Sequence, residues 1–257
     1  MLLFNNDHHA HWLVPARIRA TELIDLPGVT NAELAANLAD MARVNRWVGG
    51  AWLTLRALER LVGNVPAGAA LTLLDVATGG ADIPQALSSW AKRRGVHAHV
   101  IATDISPQIV QIANHENKEQ SIKNRMMFAA ADGIALPFSS GSVDVALCSF
   151  ALHHLEPAQA IAMLREMGRV ARRGVIVNDL VRWQPAYWAT WLGTRLLSRN
   201  RLTIHDGPLS VLRAYTLDEM HDLVAQAGLR VLANDHALGY RVALTLANRR
   251  EDDKMTR

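Results

Sequence analysis

The chain has 257 residues, half of them hydrophobic, which is enough for one large α/β domain with a well-buried core. A net charge of +3, with basic residues clustered only in short runs such as Lys92–Arg94, Arg172–Arg173 and Arg249–Arg250, argues against a nucleic-acid partner, which would need a clustered basic face. One cysteine, Cys148, excludes a disulfide framework and a cysteine-based metal site, and no metal is expected.

In chain order, residues 1–12 are polar and histidine-rich with no pattern that promises order, so a frayed segment is expected. It lacks a signal-peptide core, and no apolar stretch approaches the roughly 20 residues of a membrane span, so a cytoplasmic protein is expected. From Thr30 to Val62, Leu34, Leu38, Met41, Val44, Val48, Trp52, Leu55, Leu58 and Leu61 recur at three- and four-residue steps. Gly49-Gly50 interrupts them, which predicts two helices joined there. Strands are then predicted at Leu71–Val76, Val96–Thr103, Met127–Ala131, Val143–Ser149 and Val175–Asn178, with helices at Ile83–Arg93, Pro107–Asn117 and Pro157–Ala171. Alternation of this kind reads as a doubly wound parallel sheet. Thr216 and Glu219 have capping-box spacing, Gly228 closes the helix they start, and Leu229–Leu232 with Arg241–Leu246 form a terminal antiparallel pair.

Between Arg182 and Tyr215 the alternation breaks. Trp183, Tyr187, Trp188, Trp191, Leu192, Leu196 and Leu197 make an apolar stripe at helical spacing. Three readings are open for it: core packing, an aromatic wall for a flat apolar acceptor, or an interfacial helix over 183–201 that touches a membrane surface. Thr203–Ser210, rich in turn formers, is expected to be a loop. Its His205, beside Asp206, is a candidate general base because functional residues concentrate on loops.

Three predicted strands end on acids: Asp75, Asp104 and Asp132. Open α/β sheets bind ligands at the carboxyl ends of their strands, so these acids mark a nucleotide site. A dinucleotide would set its pyrophosphate at a helix N-terminus, where the dipole favours negative charge. Here Asp82 occupies that N-terminus and Asp75 lies just before it, so a pyrophosphate would be repelled. A ligand with an ammonium group, a sulfonium cation and a ribose diol suits the same place, and S-adenosylmethionine is that ligand.

Leu74–Asp82, Ala102–Ser106, Ala131–Phe138 running into Ser142–Leu147, and Leu152–Leu155 stand in the order found in class I S-adenosylmethionine-dependent methyltransferases, and the chain resembles their small-molecule type 11 branch from Leu71 to about Asp179. The resemblance implies a Rossmann-like, doubly wound, mostly parallel seven-stranded sheet. Residues 1–70 would hold the tail and a helical lid, and 71–257 the cofactor-binding domain, with a helical cap inserted at 183–215 over the substrate. It also implies roles: Asp104, with Ile105 beside it, for the ribose hydroxyls; Asp132 or the Gly133 backbone for the adenine edge; Asp75 for the amino acid end, lined by Ala77, Thr78 and Gly79; and Ser149 and Phe150 beside the methyl group. His153 and His154 follow, and either is a further candidate general base, His154 foremost.

The family's G-x-G-x-G turn reads Ala77, Gly79 and Ala81 here. Alanine disfavours positive φ, so either the turn is tighter against the cofactor or Gly79 alone takes the unusual backbone. Asp40–Arg46 followed by Gly49-Gly50 is similar in part to the N-terminal signature of ubiquinone/menaquinone ring methyltransferases, with Asn45 at the matching place. The leading expectation is methyl transfer to a small aromatic or polyketide-like acceptor at oxygen. The alternatives are ring-carbon methylation of a lipid quinone precursor, and a catalytically silent binding subunit, which the turn alanines keep open.

Overall fold

The structure is a computed structural model describing residues 14–118 and 126–248. The basic pair Arg249-Arg250 and the segment expected to fray lie outside those residues. Seven strands, β1 (Ala70–Val76), β2 (His97–Asp104), β3 (Met126–Ala130), β4 (Val143–Ser149), β5 (Ala171–Leu180), β6 (Leu229–Ala237) and β7 (Arg241–Asn248), form one sheet in the order β3-β2-β1-β4-β5-β7-β6. β1 to β5 run parallel, and β7 is antiparallel to both β5 and β6. The order reverses between β1 and β4, so the carboxyl ends of β1, β2 and β4 open around one crevice, the usual ligand position in such sheets.

The helices are α1 (Asn31–Trp47), α2 (Gly50–Val62), α3 (Asp82–Arg94), α4 (Pro107–Glu116), α5 (Pro157–Val170), α6 (Gln184–Leu197), α7 (Arg201–Arg213) and α8 (Leu217–Gln226). The sheet is packed on both faces, with Leu53, Leu58 and Leu87 of α2 and α3 in one apolar cluster, and Leu164, Met167 and Met220 of α5 and α8 in another. β1 and β4 are buried almost throughout, which is why they read as continuous apolar runs rather than alternating ones. α1 begins with a capping box in which Thr30 Oγ1 accepts from the Glu33 backbone N–H, and α8 repeats the device with Thr216 and Glu219. Cys148 is buried in β4, and burial pushes its thiol well above its ordinary range.

Three local expectations are corrected. Thr203–Ser210 is helical: it lies in α7 with Pro208 in the interior. Asn200 caps that helix by accepting from the Leu202 N–H at 2.8 Å, and buried Leu202 and Val211 anchor it, so tertiary packing outweighs the cost of the proline. β6 runs on past Leu232, through a register shift at Val231/Ala233. Its polar residues end the apolar signal but not the strand, because buried Asp235 is paired by Arg56 and Arg60 of α2 at 2.8 and 2.9 Å. β5 is longer than Val175–Asn178 at both ends, being hydrogen-bonded to β4 on one side and β7 on the other.

Candidate functional site

At the end of β1 the chain turns through Ala77 (φ 58°), Gly79 (φ 52°) and Ala81 (φ 62°) into α3. All three take the left-handed conformation, which rules out the alternative that Gly79 alone takes the unusual backbone. Each alanine held there costs about 1–2 kcal/mol of backbone strain relative to glycine. The turn is fixed from outside: the Thr78 N–H donates to the Thr103 carbonyl at 2.8 Å, and the Gly79 N–H to Asp104 Oδ2 at 3.1 Å. Asp104, buried at the end of β2, also accepts from the Ser106 N–H at 3.0 Å. Burial raises its pKa, and these two backbone donors act against that shift.

Asp75 is almost wholly buried. Thr78 Oγ1 donates to its Oδ2 at 2.6 Å, while Oδ1 has no partner. Burial is the main reason its pKa is pushed up to about 8. Asp82 at the start of α3 is also raised by burial, and accepts from Asn45 Nδ2 of α1 at 2.8 Å. α1 lies directly on the turn: a Cβ on Gly80 would stand 3.3 Å from Leu38 Cβ. Gly133 is packed from beneath, where a Cβ would come within 2.9 Å of Val76 Cγ1. Asp132 Oδ1 accepts from the Ile134 N–H at 3.0 Å, and Ile105 is an exposed apolar side chain at the rim. Ser149 at the end of β4 has a buried, unpartnered hydroxyl, and Phe150 follows with φ 53°.

These residues enclose a cavity of about 650 Å³. It brings together every residue that the resemblance assigned to the cofactor: Asp75, Ala77, Thr78, Gly79, Asp104, Ile105, Asp132, Gly133, Ser149 and Phe150. Leu34, Leu38, Met41 and Asn45 of α1 line its far side. Its acids and neutral turn fit S-adenosylmethionine: an unpartnered carboxylate oxygen on Asp75 suits an ammonium group, and Asp104 has acceptor capacity left for a diol.

A second cavity of about 370 Å³ lies beneath α6. Ile24, Met41, Phe150 and His154 line both cavities. Of the stripe, Leu197 alone lines this second cavity; the tryptophans and Tyr187 do not. Ala189, Thr190, Gly193 and Thr194 face it, whereas Trp188 is 55% exposed and Leu196 72% exposed. Trp183 and Tyr187 of the stripe pack against a core cluster of Leu180, Ala186, Val211 and Ala214.

The two histidines singled out from sequence are in different settings. His154 stands where the cavities meet; the Asp25 and Glu22 carboxylates outweigh the effect of burial and raise its pKa. His205 sits on α7 with a side chain 52% exposed, bonded through Nδ1 to Asp206 Oδ1 at 2.8 Å, and lines neither cavity. The loop position that suggested a catalytic role for His205 is therefore not where the residue is.

Sequence reasoning missed a strap before α1. Buried Asp206 accepts from the Leu23 and Ile24 N–H groups at 2.8 and 3.0 Å, and Arg213 donates to the Ala20 carbonyl at 2.9 Å. The strap carries Glu22 and Asp25 to the histidine pair. No spacing in the sequence signals it, since its contacts are more than 100 residues away.

Residues 73–174 match a family described as "Methyltransferase domain". A ubiquinone/menaquinone biosynthesis C-methyltransferase of Rickettsia prowazekii is 28% identical over 102 residues, covering 38% of this chain and 41% of that protein. A 27-O-demethylrifamycin SV methyltransferase of Amycolatopsis mediterranei is 31% identical over 123 residues, covering 46% and 43%. The matched stretches thus span about two-fifths of the length of these relatives. Among solved structures, a SAM dependent methyltransferase from Aquifex aeolicus superimposes with a TM-score of 0.59 at 18% identity, covering 82% of this chain and 97% of that one. Sheet order, strand-end acids and domain match agree: residues 73–174 carry a methyltransferase domain, its fold is that of the S-adenosylmethionine-dependent methyltransferases, and S-adenosylmethionine is the cofactor of that domain.

Proposed function

We propose that the chain transfers a methyl group from S-adenosylmethionine in the larger cavity to an oxygen of a small, largely apolar acceptor in the smaller one. On this reading residues before 71 close as a lid, and 183–215 form the cap over the acceptor. The observation that carries it is the shared wall of Ile24, Met41, Phe150 and His154, across which two ligands would abut. Methyl transfer is an in-line displacement, and holding two reactants in register can supply roughly 7–11 kcal/mol of the barrier. Oxygen is favoured because His154 at that wall and His153 beside it in the smaller cavity, both backed by carboxylates, would meet a hydroxyl, which must lose its proton.

A second reading, ring-carbon methylation of a lipid-tailed acceptor, is favoured by one feature. Trp47 and Leu197 line the smaller cavity yet are 66% and 65% exposed, so the cavity opens onto an apolar patch that continues to Leu196. Feeding cells deuterated-methyl methionine and comparing small molecules with and without the protein tests both. A product heavier by one labelled methyl, cleaved as an ether, supports oxygen transfer; a carbon-bound label supports the second reading; no labelled pair contradicts both.

Two expected results arise here. Thr194→Trp, which fills the smaller cavity, should raise the acceptor KM at least about tenfold and leave cofactor affinity within about twofold. Equal loss of both in steady-state kinetics and titration would mean that the acceptor binds elsewhere. The second concerns Asp75. Its folded-state pKa of about 8 lies above that of an unfolded Asp, so the free protein holds a proton that the unfolded chain releases. Its stability contribution therefore falls as pH climbs from about 4 to 8. A cationic amino group placed at Asp75 would ionise it, so binding at pH 7 should release up to about one proton. Calorimetry in two buffers of different ionisation enthalpy reads this directly, and Asp75→Asn should abolish it. Identical heats for the unmodified protein in both buffers would show that the amino group does not sit at Asp75.

A further inference from the structure

Glu22, His153 and His154 each offer one ligand atom, and these atoms lie within 4.8 Å of one another. Glu22 Oε1 is 3.9 Å from His153 Nε2, and Oε2 is 3.7 Å from His154 Nε2. The other ring nitrogens are held by carboxylates: His153 Nδ1 by Asp179 Oδ1 at 2.7 Å, and His154 Nδ1 by Asp25 Oδ2 at 3.3 Å. Carboxylates behind imidazoles fix the tautomer that leaves Nε2 free to ligate a metal. Three carboxylates, Glu22, Asp25 and Asp179, face one guanidinium, that of Arg213, which is 3.7 Å from Glu22 and 3.8 Å from Asp25. Ser210 Oγ donates to Glu22 Oε1 at 2.9 Å and leaves Oε2 available.

We propose that Glu22, His153 and His154 bind one divalent cation of the zinc and iron(II) class at the junction of the two cavities, with an open position facing the acceptor. Two imidazoles and a carboxylate are the donors that such cations take, at about 2.0–2.2 Å, when they keep a site for water or substrate. Reaching those distances needs each ligand to close in by a few tenths of an ångström. The inference deepens the oxygen-transfer reading and rests on it for its chemistry. An acceptor hydroxyl on the cation would lose its proton to water, because cations of this class lower the pKa of a bound water to about 7. The acceptor oxygen then forms the new O–C bond as the C–S bond breaks with its electron pair left on sulfur, giving methyl ether, S-adenosylhomocysteine and one proton.

Cobalt(II) is the probe, because its visible absorption reports ligand number and geometry without any activity. The full chain is used with His8, His9 and His11 changed to Ala, which removes a competing histidine cluster from the N-terminal segment. One equivalent of Co²⁺ should bind with ligand-field bands in the visible. Glu22→Gln and His154→Gln should each weaken it at least about tenfold, and Asp25→Asn, which stands behind the His154 ring and beside Arg213 rather than among the ligands, by about 10–100-fold. Melting curves establish that each variant is folded. Absence of stoichiometric binding, or binding that all three substitutions leave intact, overturns the site. S-adenosylmethionine affinity is titrated alongside on Glu22→Gln, which lies outside the cofactor cavity. Its loss in the unmodified chain would sink the methyl-transfer reading while leaving the cation result to stand or fall alone.

Discussion

Replacing Asp104 with Ala is expected to weaken S-adenosylmethionine binding by about ten- to a hundredfold. The carboxylate closes β2, already accepts from the Gly79 and Ser106 N–H groups, and has acceptor capacity left for two ribose hydroxyls. Losing hydrogen bonds to a charged acceptor costs roughly 1.5–3 kcal/mol, and about 1.4 kcal/mol is one factor of ten in affinity. Asp104→Ala also frees the two backbone donors that fix the turn, so Asp104→Asn, which keeps an acceptor for one of them, should lose less. Calorimetric titration of both folded variants orders them. Unchanged affinity in Asp104→Ala would remove the residue from the cofactor site.

The largest expected effect on stability comes from a residue behind the site. Arg241, at the start of β7, is 1% exposed, and its one hydrogen bond runs from Nε to Asn178 Oδ1 at 2.8 Å; Nη1 and Nη2 have none. Its guanidinium lies over the Phe150 ring at 3.8 Å and against Gly50, where any Cβ would overlap it. Burial brings its pKa down to about 10, with Asp179 and Asp82 acting against that shift. Asn178 also donates through Nδ2 to the Gly50 carbonyl and to Thr54 Oγ1, both at 2.8 Å, so it ties α2 to β5 and β7. Breaking a buried charged contact by removing one partner typically costs about 3–5 kcal/mol. For a chain of this size each kcal/mol is worth about 2–4 °C, so Asn178→Ala should melt roughly 10 °C lower. Adding Arg241→Met should recover part of the loss, because a well-packed apolar residue in place of a buried charge is often neutral or stabilising. A variant melting within about 2 °C of the unmodified protein would show that the guanidinium is not held as described.

The larger cavity was legible in the sequence because its determinants are local. Asp75, Asp104 and Asp132 each close or follow an apolar run, and the turn residues are contiguous with the first of them. Parallel strands buried on both faces leave continuous apolar runs, so strand number and the terminal antiparallel pair were readable too. Boundaries were lost where burial depends on distant partners, as at β6, whose Asp235 is buried only because α2 supplies two arginines. The smaller cavity depends on non-local contacts almost throughout. Stripe periodicity located α6 but not which face the cavity takes, since small residues line it and the aromatic residues Trp188 and Trp191 turn away. The glycine, proline and aspartate of α7 look like loop formers until Asp206 is seen holding the strap. Glu22 and Arg241 carry no local signal: one lies in an unpatterned segment, the other in an apolar strand.

Calorimetric titration of the unmodified chain with S-adenosylmethionine, and in parallel with NAD and NADP, tests the central claim most directly. Saturable one-to-one binding of S-adenosylmethionine with no heat from either dinucleotide is the expected result, because Asp75 and Asp82 stand where a pyrophosphate would lie. A dinucleotide that binds at micromolar concentration, or S-adenosylmethionine that does not bind at all, would contradict it.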